Sequence, residues 1–201
     1  MIHLPSRVLT FGTMCLVLFV VSTVSAEVKL AGIFSDHMVL QRDAKFPIWG
    51  WANDGEEVTV TIGDQSKQTT ASKGAWRVSL DPLPAGGPHL LTVSGTNKIA
   101  VKDILVGEVW LCSGQSNMEW SLSRSINPKE EIAAANHPNI RLFNVPGHTV
   151  SPVPNEKAAR AGSWQVCSSK TSPGFSAVGY FFGRRLQKEL GVPVGLVGSN
   201  W

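Results

Sequence analysis

At Leu105-Val-Gly-Glu-Val-Trp-Leu-Cys-Ser-Gly-Gln-Ser-Asn-Met118 an apolar run passes directly into a short turn that contains glycine and serine. The first eight residues are mostly apolar, which is typical of a strand buried on both faces of a parallel sheet. In open α/β sheets, reactive groups collect at the carboxyl ends of the strands. Ser116 is therefore a candidate nucleophile, and Gly114 would permit the tight bend before it. The spacing alone leaves open the alternative that Ser116 is an ordinary turn serine.

The residues that follow alternate between helical and extended patterns. We expect helices over 127–135 and 176–190 and strands over 140–145 and 192–197. Asn127 is predicted to be the N-cap of the first helix, because Pro128 suits the first helical position. The apolar side of the second helix is predicted to consist of Val178, Phe182, Leu186 and Leu190, which recur every four residues. This alternation predicts a parallel α/β sheet.

The residues before Leu105 have a different pattern, with short strands separated by turns. Val58, Val60 and Ile62 alternate with polar residues, as do Trp76, Val78 and Leu80. Such a period of two predicts strands with one buried face. No segment of residues 27–104 has helical periodicity, so we expect a β-sandwich there.

The segment from Gly107 to Met118 closely resembles the signature of the sialate O-acetylesterase family, which belongs to the SGNH (GDSL-like) hydrolases. Four further segments resemble that family in the same order: Asp36–Gln41, Ile48–Gly50, Phe175–Arg184 and Val194–Trp201. The resemblance implies a β-sandwich domain over residues 27–104, followed by an incomplete flavodoxin-like α/β domain over residues 105–201. The chain would correspond to the N-terminal portion of a family member.

The resemblance also implies a chemistry, hydrolysis of O-acetyl esters on sugars without a metal or other cofactor. Ser116 would be the nucleophile, a histidine its general base, and an acidic residue would orient that histidine. Gly114, Gln115 and Asn117 complete the motif around the nucleophile, and the Ser116 N–H would help to bind the oxyanion. The family's second oxyanion donor follows the position of Trp201, and its Asp-x-x-His segment lies further on. We therefore expect this chain to be inactive alone.

The histidines and tryptophans in the sequence permit simpler interpretations. His37, His89, His137 and His148 do not stand in the family's catalytic arrangement, so we expect solvated or structural histidines. Trp110 and Trp120 flank the nucleophile segment and would suit the wall of an acyl or sugar pocket. Trp49, Trp51 and Trp76 suit either the sandwich core or stacking on sugar rings. The alternative function is therefore a non-catalytic sandwich that binds carbohydrate or braces a neighbouring domain.

The first residues and the overall charge indicate where the protein acts. Met1 to Ala26 has a short apolar core followed by small residues, as in a signal peptide, which predicts a secreted or periplasmic protein. Cleavage would leave no stable association with a membrane. The formal net charge of +3 is small and scattered, so we expect no nucleic acid partner. After export, Cys112 and Cys167 would form either a disulfide or two buried thiols.

Overall fold

The computed structural model describes residues 27–145 and 162–200. The predicted signal peptide, His148 and Trp201 lie outside these ranges. The strands are β1 (Lys29–Leu30), β2 (Val39–Gln41), β3 (Phe46–Trp51), β4 (Glu57–Ile62), β5 (Gln65–Thr70), β6 (Ala75–Leu80), β7 (Gly86–Ser94), β8 (Lys98–Gly114), β9 (His137–Asn144), β10 (Trp164–Cys167) and β11 (Val194–Asn200). The helices are α1 (Ser116–Glu119), α2 (Pro128–Ala134) and α3 (Ala177–Leu190), and a 3-10 turn covers Leu122–Arg124.

The described strands form two sheets, and the larger one extends through both parts of the chain. The smaller sheet has the order β1-β3-β6, and the larger one has the order β10-β9-β11-β8-β7-β4-β5, with β2 pairing beside β8. In β4 and β6 every second side chain is buried, as the alternation predicted. The apolar faces share one core, in which Ile48 and Trp76 of the small sheet join Val60, Leu91 and Ile104 of the large one.

Strand β8 belongs to both parts of the chain. Over its first half it pairs antiparallel with β7, and over residues 108–114 it pairs in parallel with β11. The predicted domain boundary between residues 104 and 105 falls inside this strand, which continues through it without a break. The α/β part therefore continues from a strand of the sandwich. Because the sandwich core fixes the first half of β8, it also fixes the position of the end of that strand.

After residue 107, β8 continues into a parallel arrangement with β11 and β9, with β10 antiparallel at its edge, and the short β2 pairs in parallel with β8 just before it. The predicted alternation of strands and helices is thus confirmed. A flavodoxin-like order would place β8 between β9 and β11. Instead, β11 lies between β9 and β8 among the described strands. The sequence could not show this difference, because periodicity identifies strands but not their neighbours.

The prediction that the end of β8 is buried on both faces is wrong. Trp110 is 44% and Leu111 67% exposed, so β8 is not buried on both faces near its end. Beyond residue 106 no strand within the described ranges pairs with the edge of β8 that β7 covers earlier. The end of β8 is therefore an edge with one face open.

The packing face of α3 differs from the predicted one, although Leu186, one of the four predicted residues, packs against the core. Val178 and Phe182 are 49% and 41% exposed, whereas Tyr180 is fully buried. Gly179 and Gly183 lie on the packed face with Tyr180, and a Cβ at Gly183 would come within 2.6 Å of Leu196 Cδ1. The helix thus approaches the sheet through glycines, a feature that counting apolar residues misses.

The start of α2 differs in detail from the prediction. Asn127 has a left-handed backbone with φ of 52°, and its side chain makes no capping hydrogen bond. The helix nevertheless begins at Pro128, as expected. A fixed proline φ therefore starts this helix without the predicted side-chain cap.

A charged cluster joins the sandwich to the parallel part. Arg141 of β9 is 4% exposed and donates to Asp103 of β8 at 2.6 and 3.3 Å. His37 Nδ1 lies 2.6 Å from the same carboxylate. These bonds link β8, β9 and the segment before β2. In the described part of the chain no helix is long and apolar enough to cross a membrane.

Candidate active site

Ser116 lies where the sheet ends and the first short helix begins. Strand β8 ends at Gly114, Gln115 occupies the N-cap position, and Ser116 is the first residue of α1. Its side chain is exposed to solvent. Gly114 has φ of 143°, a conformation that side chains other than hydrogen rarely permit. The predicted bend at the carboxyl end of an extended segment is confirmed.

The residues around Ser116 form the turn itself. The carbonyl oxygen of Gln115 accepts hydrogen bonds from the N–H groups of Met118 and Glu119, at 2.9 and 3.1 Å. Asn117 and Gln115 both point into solvent-accessible space, as their exposure shows. The first N–H groups of a helix, here those of Ser116 and Asn117, have no acceptor within the helix. They are therefore suited to donate to a negatively charged oxygen near the serine.

Helix α1 is fixed to the start of α3. Ser176 Oγ donates to Met118 Sδ at 3.3 Å and also accepts from the Gly179 N–H at 3.1 Å. The Ala177 N–H donates to the carbonyl oxygen of Trp120 at 2.8 Å. One serine thus caps the long helix and contacts the short one, which fixes the nucleophile segment against a packed element.

A polar cleft of about 290 Å³ lies at the same edge of the sheet. It is lined by Glu119, Ser121, Arg124, Asn144, Val145, Gly174, Ser176, Gly198 and Asn200. Ser116 is not among the lining residues. Glu119 stands one helical turn after it, and side chains at this spacing have Cβ atoms about 5–6 Å apart. Ser116 therefore lies one helical turn from a residue that lines the cleft.

Sequence reasoning missed the polar residues of this cleft. Asn144 ends β9 and Asn200 ends β11, so both occupy the carboxyl ends of parallel strands. Reactive groups collect at the carboxyl ends of strands in open α/β sheets, so recognising β9 and β11 in the sequence would have indicated both asparagines as well as Ser116. Glu119 and Arg124 carried no comparable signal, because only the turn after β8 brings them to this edge.

The three histidines within the described residues lie far from Ser116. His89 pairs with Ile104, and His37 contacts Asp103. His137 stands three residues before Ile140, which is level with Glu108 across β11. Each is about ten or more residues upstream along the strands, which corresponds to roughly 30 Å. The described residues thus bring no histidine to the nucleophile.

His137 has a structural setting. Its Nε2 lies 3.3 Å from the hydroxyl of Tyr180, and burial together with the Arg184 guanidinium lowers the pKa of this histidine. A lowered pKa keeps the ring neutral and able to share that hydrogen bond. This location agrees with the prediction that the described histidines are structural.

Cys112 and Cys167 are free and buried. Of the two alternatives, the structure therefore shows buried thiols. Burial raises the pKa of both, that of Cys167 to about 11. Because the thiolate is the reactive form, neither competes with Ser116 as a nucleophile near neutral pH. Within the described ranges no group of histidine, cysteine, aspartate or glutamate side chains could hold a metal ion.

The flanking tryptophans do not line the cleft. Trp110 packs edge-on against Phe182, with ring centroids 5.1 Å apart. Trp120 is half exposed, and its Nε1 donates to the carbonyl oxygen of Arg124 at 2.8 Å. The predicted pocket wall is thus absent from the cleft that the structure describes, which is polar instead.

Comparison with known proteins gives consistent matches. The chain is 36% identical over 199 residues to the sialate O-acetylesterase of Rattus norvegicus, and 33% identical over 213 residues to that of Mus musculus. These matches cover 86% and 92% of this chain but only 35% and 39% of the relatives. No model of a known protein family matches the chain.

A solved structure has the same fold over most of the chain. The crystal structure of a carbohydrate acetylesterase from Xanthomonas citri superposes with a TM-score of 0.80 at 36% identity. The superposition covers 87% of this chain and 40% of that one. The chain thus spans well under half the length of each of these proteins.

Proposed function

We propose, since the chain belongs to the sialate O-acetylesterase family, that the protein it forms part of removes O-acetyl groups from sugars with Ser116 as its nucleophile. The motifs around Gly107–Met118 predicted this family, and the comparisons confirm it. The observation that carries the proposal is the position of Ser116: exposed, at the carboxyl end of β8, and one helical turn before Glu119, which lines a polar cleft.

The proposed reaction proceeds in two steps. The Ser116 hydroxyl oxygen attacks the acetyl carbonyl carbon while a general base takes its proton, and the carbonyl oxygen becomes an oxyanion. The Ser116 N–H, free of an acceptor within α1, would donate to that oxyanion. The bond to the sugar oxygen then breaks, and this oxygen leaves with the proton. Water hydrolyses the acetyl-serine to acetate and regenerates the hydroxyl.

The cleft beside Ser116 suits the sugar part of such a substrate. Its lining offers the amides of Asn144 and Asn200, the hydroxyl of Ser121 and the charged groups of Glu119 and Arg124. A sugar presents hydroxyl groups in several directions, and each needs a partner when water is displaced. We therefore assign the sugar ring to this cleft and the acetyl group to its rim at Ser116.

The described part of the chain lacks the base for this reaction. Its three histidines lie roughly 30 Å from Ser116 by strand register, and a serine hydroxyl without a base is a poor nucleophile near neutral pH. We therefore expect the chain on its own to be inactive. For the protein as it is made in the cell we propose export to the periplasm or the exterior, directed by Met1 to Ala26.

The test compares the natural-length protein with two serine variants. Acetate release from 9-O-acetylated sialic acid is measured for wild type, S116A and S113A. Ser113 is an exposed serine three residues earlier, at the end of the same strand, and serves as the matched control. We expect S116A to lose about 10³-fold or more in kcat, and S113A to retain wild-type rates. A fully active S116A protein would overturn the assignment.

The alternative function is a non-catalytic module that braces a neighbouring domain. The specific observation in its favour is β8, which passes unbroken from the sandwich into the parallel sheet. Such a module would release no acetate at natural length, and S116A would change nothing. The same assay therefore separates the two functions.

A further inference from the structure

The outer face of the small sheet carries an aromatic stripe. Along β3 the side chains of Pro47, Trp49 and Trp51 point away from the sandwich core, while Phe46 and Ile48 point into it. Trp49 is 37% exposed and Trp51 is partly buried. Two large aromatic side chains next to each other on an outer sheet face are unusual, because such rings are normally placed in cores or binding sites.

The neighbouring strand leaves these rings accessible. On β6, Ala75 lies opposite Trp51 and Ser79 lies opposite Pro47, so this strand places small side chains beside both, whereas Arg77 lies opposite Trp49. The result is a shallow cleft of about 460 Å³ over this face. It is lined by Pro47, Trp49, Gly50, Trp51, Thr70, Ser72, Ala75, Trp76 and Arg77. This volume lies in the range of small-molecule sites.

The cleft is held in shape by the core beneath it. Trp76 is 3% exposed, and its Nε1 donates to the carbonyl oxygen of Trp51 at 3.3 Å. Phe34 packs edge-on against Trp49, with ring centroids 4.5 Å apart and an interplanar angle of 81°. Trp49 therefore has a fixed orientation, so a ligand would stack on it at little cost in side-chain entropy.

The charges around the cleft are positive. Arg77 lies directly opposite Trp49, and Lys29 lies directly opposite Trp51, so both extend from the same face of the sheet. Neither forms an ion pair with any residue in the described ranges. The residues that line the cleft include no aspartate or glutamate. An aromatic cleft with a guanidinium that forms no ion pair among the described residues is complementary to a ring that has an apolar face and carries an anion.

We propose that this cleft binds a sugar that carries a carboxylate. The apolar face of the sugar ring would stack on Trp49, and its carboxylate would accept hydrogen bonds from the Arg77 guanidinium, which matches a carboxylate in geometry. Lys29, opposite Trp51 on the same face, adds positive charge beside the bound sugar. The site is distinct from the Ser116 cleft and does not depend on the esterase activity.

The experiment measures the binding of matched acidic and neutral sugars to the whole chain by titration calorimetry. The pairs are cellobiouronic acid with cellobiose and 3′-sialyllactose with lactose, which separate hexuronates from sialic acids as the source of the carboxylate. We expect at least one acidic sugar to bind about tenfold or more tightly than its neutral partner. We also expect this preference to weaken as salt is raised, because an accessible ion pair is screened.

Four variants locate the binding site. W49A should weaken binding of the acidic sugar by about tenfold or more, and R77Q should remove most of the preference over the neutral sugar. W110A and R185Q alter an exposed tryptophan and an exposed arginine elsewhere and should bind as wild type does. Circular dichroism confirms that each variant is folded, and R77Q tests the site without removing a ring.

Three results would overturn the proposal. The first is the absence of saturable binding by either acidic sugar. The second is equal binding within both pairs, which would indicate a neutral glycan. The third is wild-type binding by both W49A and R77Q, which would place the sugar elsewhere, including at the Ser116 cleft.

Discussion

Replacing Asp103 by asparagine should destabilise the protein, because it removes the carboxylate that pairs with the Arg141 guanidinium among the described residues. Among the described residues, Asp103 is the acidic side chain paired with this buried arginine. The substitution removes the charge without straining the backbone. Asp103 has a left-handed φ of 53°, and asparagine adopts this conformation readily. The variant therefore keeps the shape of the cluster while leaving a buried guanidinium without its counter-ion.

The expected loss follows from the burial of the two partners. Breaking a fully buried ion pair costs about 3–5 kcal/mol, and breaking an exposed one costs about 0–1 kcal/mol. Arg141 has a side chain only 5% exposed, but Asp103 is 36% exposed, so water partly replaces the lost carboxylate. We expect about 2 kcal/mol, which for a chain of this size lowers Tm by roughly 4–8 °C.

The pH dependence gives a second measure of the same interaction. Hydrogen bonds from Arg141 lower the pKa of Asp103, partial burial opposes this, and the contact with His37 lowers it further. A lowered pKa in the folded state means that the stabilisation is present above the unfolded pKa of about 4. It is lost as the pH falls below that value, through the folded pKa. The stability difference between wild type and D103N should therefore shrink on acidification.

Urea unfolding followed by tryptophan fluorescence between pH 7 and pH 3 provides the assay. D81N is the matched control, because Asp81 also pairs with a basic side chain, Lys67 at 2.9 Å, but both of these groups are exposed. We expect D81N to unfold at nearly the wild-type urea concentration. A loss of less than about 0.5 kcal/mol for D103N, or a loss that is the same at pH 3 and pH 7, would contradict a stabilising ion pair between Asp103 and Arg141.

Three further predictions test the packing of the sheet and its helix. Gly107→Ala should unfold at a much lower urea concentration than wild type, because a Cβ there would come within 1.9 Å of the Pro193 carbonyl oxygen, just before β11. Gly174→Ala is the control and should not change stability, because the space around Gly174 is open. Tyr180→Ala should lower the free energy of unfolding in urea by about 3–5 kcal/mol. Phe182→Ala should lower it far less, because of these two side chains only Tyr180 is fully buried. Equal losses would contradict the packing face of α3 in the structure. Cys167 should resist thiol reagents at pH 8 in the folded protein and react on unfolding, since burial raises its pKa to about 11; rapid native labelling would contradict this.

The sequence predicted the strands of the sandwich well because their burial alternates. Val58, Val60 and Ile62 are inside, as are Trp76, Val78 and Leu80. A period of two leaves little ambiguity once one face is apolar. The end of β8 and the placement of Ser116 were also predicted, because an apolar strand followed by a glycine bend is a local signal.

The failures concern features that depend on distant partners. Phe182 lies on the most apolar stripe of α3, yet the helix packs through two glycines. Gly179 closely approaches Cys112 and Phe175, and Gly183 closely approaches Leu196, so their small size matters only because of these distant partners. Trp110 is exposed because no described strand covers that edge of β8, which a local window cannot show. The cleft residues Asn144 and Asn200 meet only through the order of β9 and β11.

The chemical identity of residue 116 as the nucleophile can be tested by covalent labelling. The natural-length protein is treated with a fluorophosphonate, digested and analysed by mass spectrometry. An activated serine oxygen attacks phosphorus and fluoride leaves, so the peptide that contains Ser116 should gain the phosphonyl mass while esterase activity is lost in parallel. An active enzyme that is inactivated with the label on another residue would contradict the account.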